Sequence, residues 1–212
     1  MSARLRVARP GDLPALVAIK ESLALTRDGG SASRGGFLLG CPPERYSMLI
    51  AVAQVTLLEV GGRPAGFAIA LPDPVLRASE LWARRESIRW APGQGEPPED
   101  AVLAYFDQLA LAAWASRLHA APLALAAVRR LAAGGHDHLY ATTLAAPLRN
   151  RASFPLLAAF GAHIVGEVEE VYPEVGAVQS LLHHASIPDG LARIEARSAG
   201  ARTAAAAERM AA

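Results

Sequence analysis

Apolar and polar residues follow different periods in successive parts of the chain. Residues 4–8 alternate polar and apolar side chains, a pattern that predicts a first strand. After Asp12, a residue type that favours helix N-termini, apolar side chains recur at helical spacing from Leu13 to Leu23. This segment is therefore predicted to be a helix with one mainly apolar face.

The clearest local pattern is a β-hairpin. Residues 54–60 and 65–71 are rich in strand-forming side chains, and residues 61–63 between them predict a turn. Before the hairpin, residues 28–36 are rich in glycine and serine and predict a mobile loop. Residues 43–53 predict a second, short helix.

The segment from residue 73 to residue 101 is predicted to be an insertion over one face of the fold. It follows the breaker Pro72-Asp73-Pro74 and contains a polar, arginine-rich helical stretch over 75–90. The irregular residues 91–100 end it. Loops of this length often serve as lids or substrate walls, so we expect this role for the insertion.

The centre of the chain, from Phe106 to Gly161, is predicted to hold a nucleotide-like cofactor. An apolar strand over 102–112 leads into a strong helix over 122–133, which has proline at its expected first position. A strand over 138–144 follows, and Asn150 is predicted to cap a further helix. A strand–helix–strand unit of this kind demands a parallel neighbour or a crossover.

Two antiparallel strands, over 163–171 and 175–183, complete a single domain predicted to span residues 1–188. Residues 189–212 form an alanine- and arginine-rich tail, predicted to be a frayed helix or disordered. The predicted order is strand, two helices, two strands, insertion, strand, helix, strand, helix and two strands. That order indicates an α/β domain.

The composition excludes several classes of function. Hydrophobic residues make up 52% of the 212 residues and the net charge is +1, so no global attraction to nucleic acid or an anionic membrane is expected. Cys41 is the only cysteine, which excludes an internal disulfide and a cysteine-based metal site. No segment resembles a signal peptide or reaches the roughly 20 apolar residues of a membrane span. We therefore expect a cytoplasmic protein.

Histidine pairs raise the possibility of a metal site. His136 and His138 could share one face of a strand, but no third ligand is evident, and His183 and His184 point to opposite faces of a strand. We therefore expect no metal. A dinucleotide site of the Rossmann type is also disfavoured, because no Gly-x-Gly-x-x-Gly follows a predicted strand.

Four short motifs carry a resemblance to a known family. They lie at residues 6–16, 60–67, 106–111 and 150–161, and they read RVARPGDLPAL, VGGRPAGF, FDQLAL, and NRAS followed by FG. In this order and spacing, the chain resembles the GNAT superfamily of N-acetyltransferases over nearly its whole length, to about His184.

The resemblance implies a GNAT-like α/β fold with a mixed, mostly antiparallel central sheet of six to seven strands flanked by helices. It implies an acyl-CoA-dependent N-acetyltransferase with acetyl-CoA as co-substrate and a small amine as acceptor. Domains of this kind are often dimers. In the family, a loop between the fourth strand and the next helix wraps the pyrophosphate of coenzyme A, and backbone N–H groups point at the phosphates.

The same resemblance implies a set of residues that bind coenzyme A. On the strand beside the pantetheine arm and on the helix after the fifth strand they are Leu109, Leu111, Asn150 and Ser153. The phosphate loop comprises Ser116, Arg117, Leu118, His119, Ala120 and Ala121, which departs from the family pattern Arg/Gln-x-x-Gly-x-Gly/Ala. Arg117 and His119 could supply side-chain contacts to phosphate, or the loop could have kept its shape and lost the ligand.

Acetyl transfer needs a base that takes the proton of the amine. Asp107, on the predicted fourth strand, is the first candidate. Glu80 and Glu86 in the insertion are alternative bases or determinants for a cationic substrate. Each of these carboxylates could instead be a structural side chain, paired with an arginine or solvated.

The departing thiolate needs a proton or a favourable field. Many relatives carry a tyrosine in the helix after the fifth strand, but Leu157 occupies that position here. Tyr105 and Tyr140 are candidate acids, or apolar rings with a solvated hydroxyl. The departures leave a second function open, a non-catalytic GNAT-like protein that binds an acyl-CoA or another ligand as a sensor or accessory subunit.

Overall fold

The computed structural model describes residues 2–23, 41–52, 54–172 and 175–197. The predicted loop over 28–36 lies outside these residues. Eight strands of the described chain form one sheet, and they are β1 (Ala3–Val7), β2 (Val55–Val60), β3 (Arg63–Pro72), β4 (Arg89–Trp90), β5 (Leu103–Leu111), β6 (His138–Ala146), β7 (His163–Tyr172) and β8 (Gly176–Ser186).

The order of strands in the sheet is β1-β2-β3-β5-β6-β8-β7-β4. Every pair among them is antiparallel except β5 and β6, which run parallel. The predicted mixed, mostly antiparallel sheet is therefore confirmed. The sheet has one strand more than the six to seven predicted. The additional strand is β4, whose two residues pair with Glu167 and Gly166 of β7 at the sheet edge.

Helices cover both faces of the sheet, and the described ones are α1 (Leu13–Ser22), α2 (Pro43–Ala51), α3 (Asp73–Arg77), α4 (Glu80–Ala83), α5 (Ala120–Ala133), α6 (Phe154–Phe160) and a helix over 187–197. On one face, α1 and α2 bury Leu16 and Leu49 against Phe67 and Ile69 of β3. On the other face, α5 buries Leu123, with Phe160 and Ile187 in the same cluster. The sheet thus separates two apolar cores.

The insertion is built differently from the prediction. The stretch over 75–90 is not one helix but α3, α4, a 3-10 turn at Arg84–Ser87 and the strand β4. Ser79 caps α4 by accepting a hydrogen bond from the backbone N–H of Trp82. Serine at this position favours a new helix start over continuation, which breaks the arginine-rich stretch into short elements.

Two helix starts differ from the prediction. Helix α5 begins at Ala120, so Pro122 lies inside its first turn, where backbone N–H groups have no intrahelical acceptor and proline is tolerated. Helix α6 begins at Phe154 with Ser153 at its N-cap, so Asn150 is not the cap. Instead the Asn150 Oδ1 accepts a hydrogen bond from the N–H of Ala152 at 3.2 Å, a local turn that competes with helix.

The tail predicted over 189–212 begins as ordered helix. Over 187–197, Ile187 is fully buried, and Leu191 and Ile194 pack against the core that contains α5. Their spacing places all three on one helical face. The remainder of the predicted tail, residues 198–212, lies outside the described residues.

Candidate functional site

A cleft opens in the sheet between the parallel strands β5 and β6. Their pairing runs from Leu103 with His138 to Phe106 with Ala141 and ends there. Both strands continue, to Leu111 and Ala146, paired on their other sides with β3 and β8. The edges that face the cleft therefore carry backbone groups that are available to a ligand.

A β-bulge in β5 lies at the head of this cleft. Ile69 of β3 pairs with Gln108, whereas its neighbour Ala70 pairs with Phe106, which leaves Asp107 as the extra residue. The bulge follows directly on the last residue of β5 that pairs with β6. It therefore marks the point where the two parallel strands separate.

The bulge turns two consecutive side chains toward α2. The Tyr46 hydroxyl donates a hydrogen bond to Gln108 Oε1 at 2.8 Å, and Arg45 Nη2 lies 3.9 Å from Asp107 Oδ2. Without a bulge, successive strand residues point to opposite faces. The extra residue therefore places a carboxylate beside the cleft, with 13% of its side-chain surface exposed.

The surroundings raise the pKa of Asp107 above the ordinary value for an aspartate. Burial is the main cause, because it disfavours the charged form. Arg45 opposes the rise, the negative charge of Glu170 adds to it, and the amide of Gln108 lowers it slightly. A carboxyl group with a raised pKa holds a proton more strongly, which suits a general base.

The loop that leads into α5 forms a compact turn. Ser116 Oγ accepts a hydrogen bond from the N–H of Leu118 at 3.3 Å, and Ser116 O accepts one from the N–H of His119 at 3.1 Å. The N–H of Ala120 donates to Arg117 O. This 3-10 turn places Arg117, Leu118, His119, Ala120 and Ala121 at the positive end of a 14-residue helix.

The other predicted cofactor residues lie on both sides of the cleft. Leu109 and Leu111 of β5 pack, half-buried, against the core that contains α5. After β6, the N–H of Asn150 donates to Leu144 O at 2.8 Å, and Ser153 Oγ donates to Asn150 O at 3.4 Å. Both polar residues are thus fixed by the backbone that follows the strand.

The two candidate carboxylates of the insertion, Glu80 and Glu86, lie at the surface and not beside Asp107. The side chain of Glu80 is 86% exposed, and its carboxylate lies 3.9 Å from Arg84 one turn later in the chain. Glu86 is 78% exposed and lies 3.9 Å from Arg85. Both are solvated members of surface ion pairs in this structure.

The two candidate tyrosine acids lie on strands β5 and β6. The Tyr105 and Thr142 hydroxyls are 2.5 Å apart and link β5 to β6, and burial raises the pKa of Tyr105. The Tyr140 ring lies 4.8 Å from the ring of His184, and burial raises its pKa as well. A raised pKa makes each hydroxyl a weaker acid.

A pocket beside the cleft was not foreseen from the sequence. It is open to solvent, and the insertion supplies more than half of its lining. Glu170 of β7 lies in its wall and accepts hydrogen bonds from Arg84 at 3.0 Å, Tyr172 at 2.9 Å and Ser180 at 3.1 Å. No sequence signal pairs Arg84 with Glu170, because they are far apart in the chain.

The histidines of the predicted pairs have other partners. His136 Nδ1 lies 3.0 Å from Leu131 O, and its Nε2 accepts from the N–H of Asp73 at 3.1 Å. His138 Nδ1 lies 3.0 Å from His184 Nε2. Over residues 2–23, 41–52, 54–172 and 175–197, no group of three or more metal-binding side chains could hold an ion. No helix in that part of the chain is long and apolar enough to cross a membrane.

Comparison with solved structures decides the fold. An N-acetyltransferase from Staphylococcus aureus Mu50 superposes with a TM-score of 0.57 at 16% identity, over 88% of this chain and 99% of that one. A ribosomal-protein-alanine N-acetyltransferase from Brucella melitensis gives a TM-score of 0.57 at 18% identity, over 86% and 99% of the two chains. The chain has the GNAT fold.

A third GNAT structure, Naa50 from Arabidopsis thaliana in complex with the bisubstrate analogue CoA-Ac-MVNAL, gives a TM-score of 0.58 at 13% identity. The superposition covers 88% of this chain and 99% of that one. Neither a protein-family model nor a curated protein sequence matches the chain. The similarity to these structures therefore rests on the fold, which distant sequences can share.

Proposed function

We propose that the protein is an acyl-CoA-dependent N-acetyltransferase that transfers an acetyl group to a small amine. The observation that carries the proposal is the buried carboxylate of Asp107 at the bulge where β5 and β6 separate. A proton acceptor with a raised pKa at the head of an open parallel cleft is the arrangement that amine acylation requires.

The residues around the cleft fit acetyl-CoA, which would supply the activated acetyl group. The open edges of β5 and β6 leave room for an extended arm, with Leu109 and Leu111 beside it. Arg117 and His119, at the positive end of α5, would contact the phosphates. Asn150 and Ser153 would border the arm from the side of β6.

The chain's own groups would act in a simple sequence. Asp107 takes one proton from the incoming ammonium, and the lone pair of the neutral amine then forms the new bond to the acetyl carbon as the bond to sulfur breaks. Backbone N–H groups on the open edge of β5 stabilise the negative charge that develops on the acetyl oxygen. The second proton, which the nitrogen loses as the amide forms, neutralises the thiolate, and the proton held by Asp107 passes to solvent. Because Leu157 has no proton to donate, the transfer to sulfur would pass through solvent instead of a tyrosine.

One observation favours a second function, a non-catalytic GNAT-like protein that binds an acyl-CoA or another ligand as a sensor or accessory subunit. The N–H groups of Leu118, His119 and Ala120 are already bonded within the turn that starts at Ser116. N–H groups with internal partners would bind phosphate less strongly than open ones.

Thermal unfolding with and without millimolar acetyl-CoA tests cofactor binding. A ligand at 100 times its dissociation constant adds about 2.7 kcal/mol to the free energy of unfolding. No stabilisation by acetyl-, succinyl- or longer acyl-CoA would remove both functions that depend on coenzyme A. If stabilisation is seen, release of free thiol over a panel of amines separates the enzyme, which releases it, from the sensor, which does not.

A further inference from the structure

We propose that the pocket beneath the insertion binds an aryl group of the acceptor, so that the substrate is an arylalkyl-type amine. The inference rests on the proposed function and adds the chemical class of the substrate. It concerns the pocket that lies between the short elements of the insertion and the sheet, on the same face as α1 and α2.

The walls of the pocket are apolar and well fixed. Trp82 and Trp90 of the insertion face Tyr140 and Leu182 of the sheet across it. The ring of Trp82 is held between two guanidinium groups, those of Arg77 at 4.7 Å and Arg85 at 4.9 Å from its centre. Aromatic walls in fixed positions favour a flat apolar ligand, because little ordering is needed when it binds.

Three of the four charged side chains in the wall, Arg84, Arg85 and Glu170, already have hydrogen-bond partners, and the fourth is the exposed Glu96. Glu170 receives three hydrogen bonds, one of them from Arg84, and the guanidinium of Arg85 donates to Trp82 O at 3.1 Å. A ligand with a charged group placed deep in the pocket would have to displace these partners. An apolar group would leave them in place, so the pocket selects against polar substituents.

The pocket adjoins the predicted base. Tyr105, two residues before Asp107 on β5, lines the pocket and is hydrogen-bonded to Thr142, which lines it too. The charge of Glu170, also in the lining, acts on the carboxylate of Asp107. The side chain of Asp107 lies on the face of the sheet that α2 covers, as its ion pair with Arg45 shows. An amine joined to a ring by a short linker would thus place its nitrogen beside Asp107 while the ring fills the pocket. The carboxylate of exposed Glu96, also in the lining, would favour the incoming ammonium.

Titration calorimetry without acetyl-CoA tests the pocket independently of catalysis. The probes are 2-phenylethylamine and ethylamine, which differ by the ring. We expect 2-phenylethylamine to bind at least about tenfold more tightly than ethylamine. Equal affinity for the two amines, or no binding of 2-phenylethylamine up to solubility-limited concentrations, would overturn the inference.

Paired tryptophan variants locate the site. Trp90→Leu shortens a pocket wall at the sheet edge, whereas Trp114→Leu makes the same change at a side chain that is 49% exposed and outside the pocket lining. We expect Trp90→Leu to weaken 2-phenylethylamine binding roughly tenfold and Trp114→Leu to leave it unchanged. Leu81→Ala, a second wall variant, should act as Trp90→Leu does; if all three bind alike, the pocket assignment is wrong.

Turnover then separates the two proposals. Ring-dependent binding that is lost in Trp90→Leu, combined with thiol release from acetyl-CoA, supports both. The same binding without any thiol release would overturn the acetyltransferase proposal and leave the ligand class of the pocket supported. Thiol release that is as fast with ethylamine as with 2-phenylethylamine at saturating and limiting concentrations would overturn the substrate class alone.

Discussion

The guanidinium of Arg45 lies 3.9 Å from the carboxylate of Asp107 and joins α2 to the bulge in β5. At this distance the two charges attract each other, but the groups are too far apart for a hydrogen bond. Arg45 therefore restrains the rise that burial imposes on the pKa of Asp107 but does not cancel it. The carboxylate keeps its capacity to take a proton from a substrate.

Replacing Asp107 with asparagine should separate catalysis from binding. Removal of a general base lowers kcat by about 10²- to 10⁴-fold, and the affinity for acetyl-CoA should not change. Thiol-release kinetics measure the first effect and thermal shift the second. Asp100→Asn, at an exposed position, is the control with the same chemical change. Wild-type turnover of Asp107→Asn at every pH would remove this residue from the mechanism.

The same variant should stabilise the fold at neutral pH. Because the pKa of Asp107 is raised on folding, the folded chain binds this proton more strongly than the unfolded chain. The free energy of unfolding therefore falls as pH rises from about 4 through the folded pKa. Asparagine carries no such charge, so Asp107→Asn should unfold at a higher temperature than the wild type at pH 7. A lower temperature would argue that the charged form is stabilised.

Arg45 should set the acid limb of the pH–activity profile. Loss of its positive charge in Arg45→Gln raises the pKa of Asp107 further, so the base is free only at higher pH. The midpoint of the acid limb in kcat/KM should move up by about one pH unit. Arg45→Lys keeps the charge and should keep the midpoint near that of the wild type. An unmoved midpoint in Arg45→Gln would show that another group titrates.

Arg117 is expected to contribute to phosphate binding. Arg117→Gln should raise the dissociation constant for acetyl-CoA about tenfold, and the difference should shrink in high salt because the contact is exposed. Arg129→Gln, near the other end of α5, is the control, since Arg129 pairs with Glu195 at 3.4 Å and is 57% exposed. Equal affinities in the two variants would indicate that the N-terminus of α5 does not hold the phosphates.

His184 should make the fold sensitive to mild acid. It lies against His138, His163 and Tyr140, and burial together with the two neighbouring imidazoles lowers its pKa to about 4. The unfolded chain then binds this proton at a higher pH, near 6.5, so stability falls as pH drops from about 6.5 to 4.

Chemical unfolding between pH 7 and pH 4 measures this slope. His184→Phe keeps an aromatic ring at the position and should flatten the slope, whereas His119→Gln, in the turn before α5, should not. A slope in His184→Phe as steep as in the wild type would show that other groups cause the acid sensitivity.

Much of the fold could be predicted from the sequence because it is encoded in local patterns. The hairpin of β2 and β3 follows from alternating strand residues around a turn at residues 61–63, and it pairs as expected. The strand–helix–strand unit of β5, α5 and β6 follows from an apolar strand and a helix with helical spacing, and its two strands are parallel. Helix α6, by contrast, starts at Phe154, because the Asn150 side chain bonds within its own turn.

The hairpin, the strand–helix–strand unit and the apolar faces of the helices were thus determined by the sequence itself, since each depends on neighbours a few residues apart. The cleft depended on tertiary structure, because it opens where β5 and β6, which are distant in the chain, stop pairing. The bulge at Asp107 and the pocket also depended on tertiary structure. Asp107 is paired with Arg45 of a separate helix, and Glu170 in the pocket wall is paired with Arg84 of the insertion. Contacts between such distant segments leave no periodic trace, because they arise only when elements with suitable faces pack together.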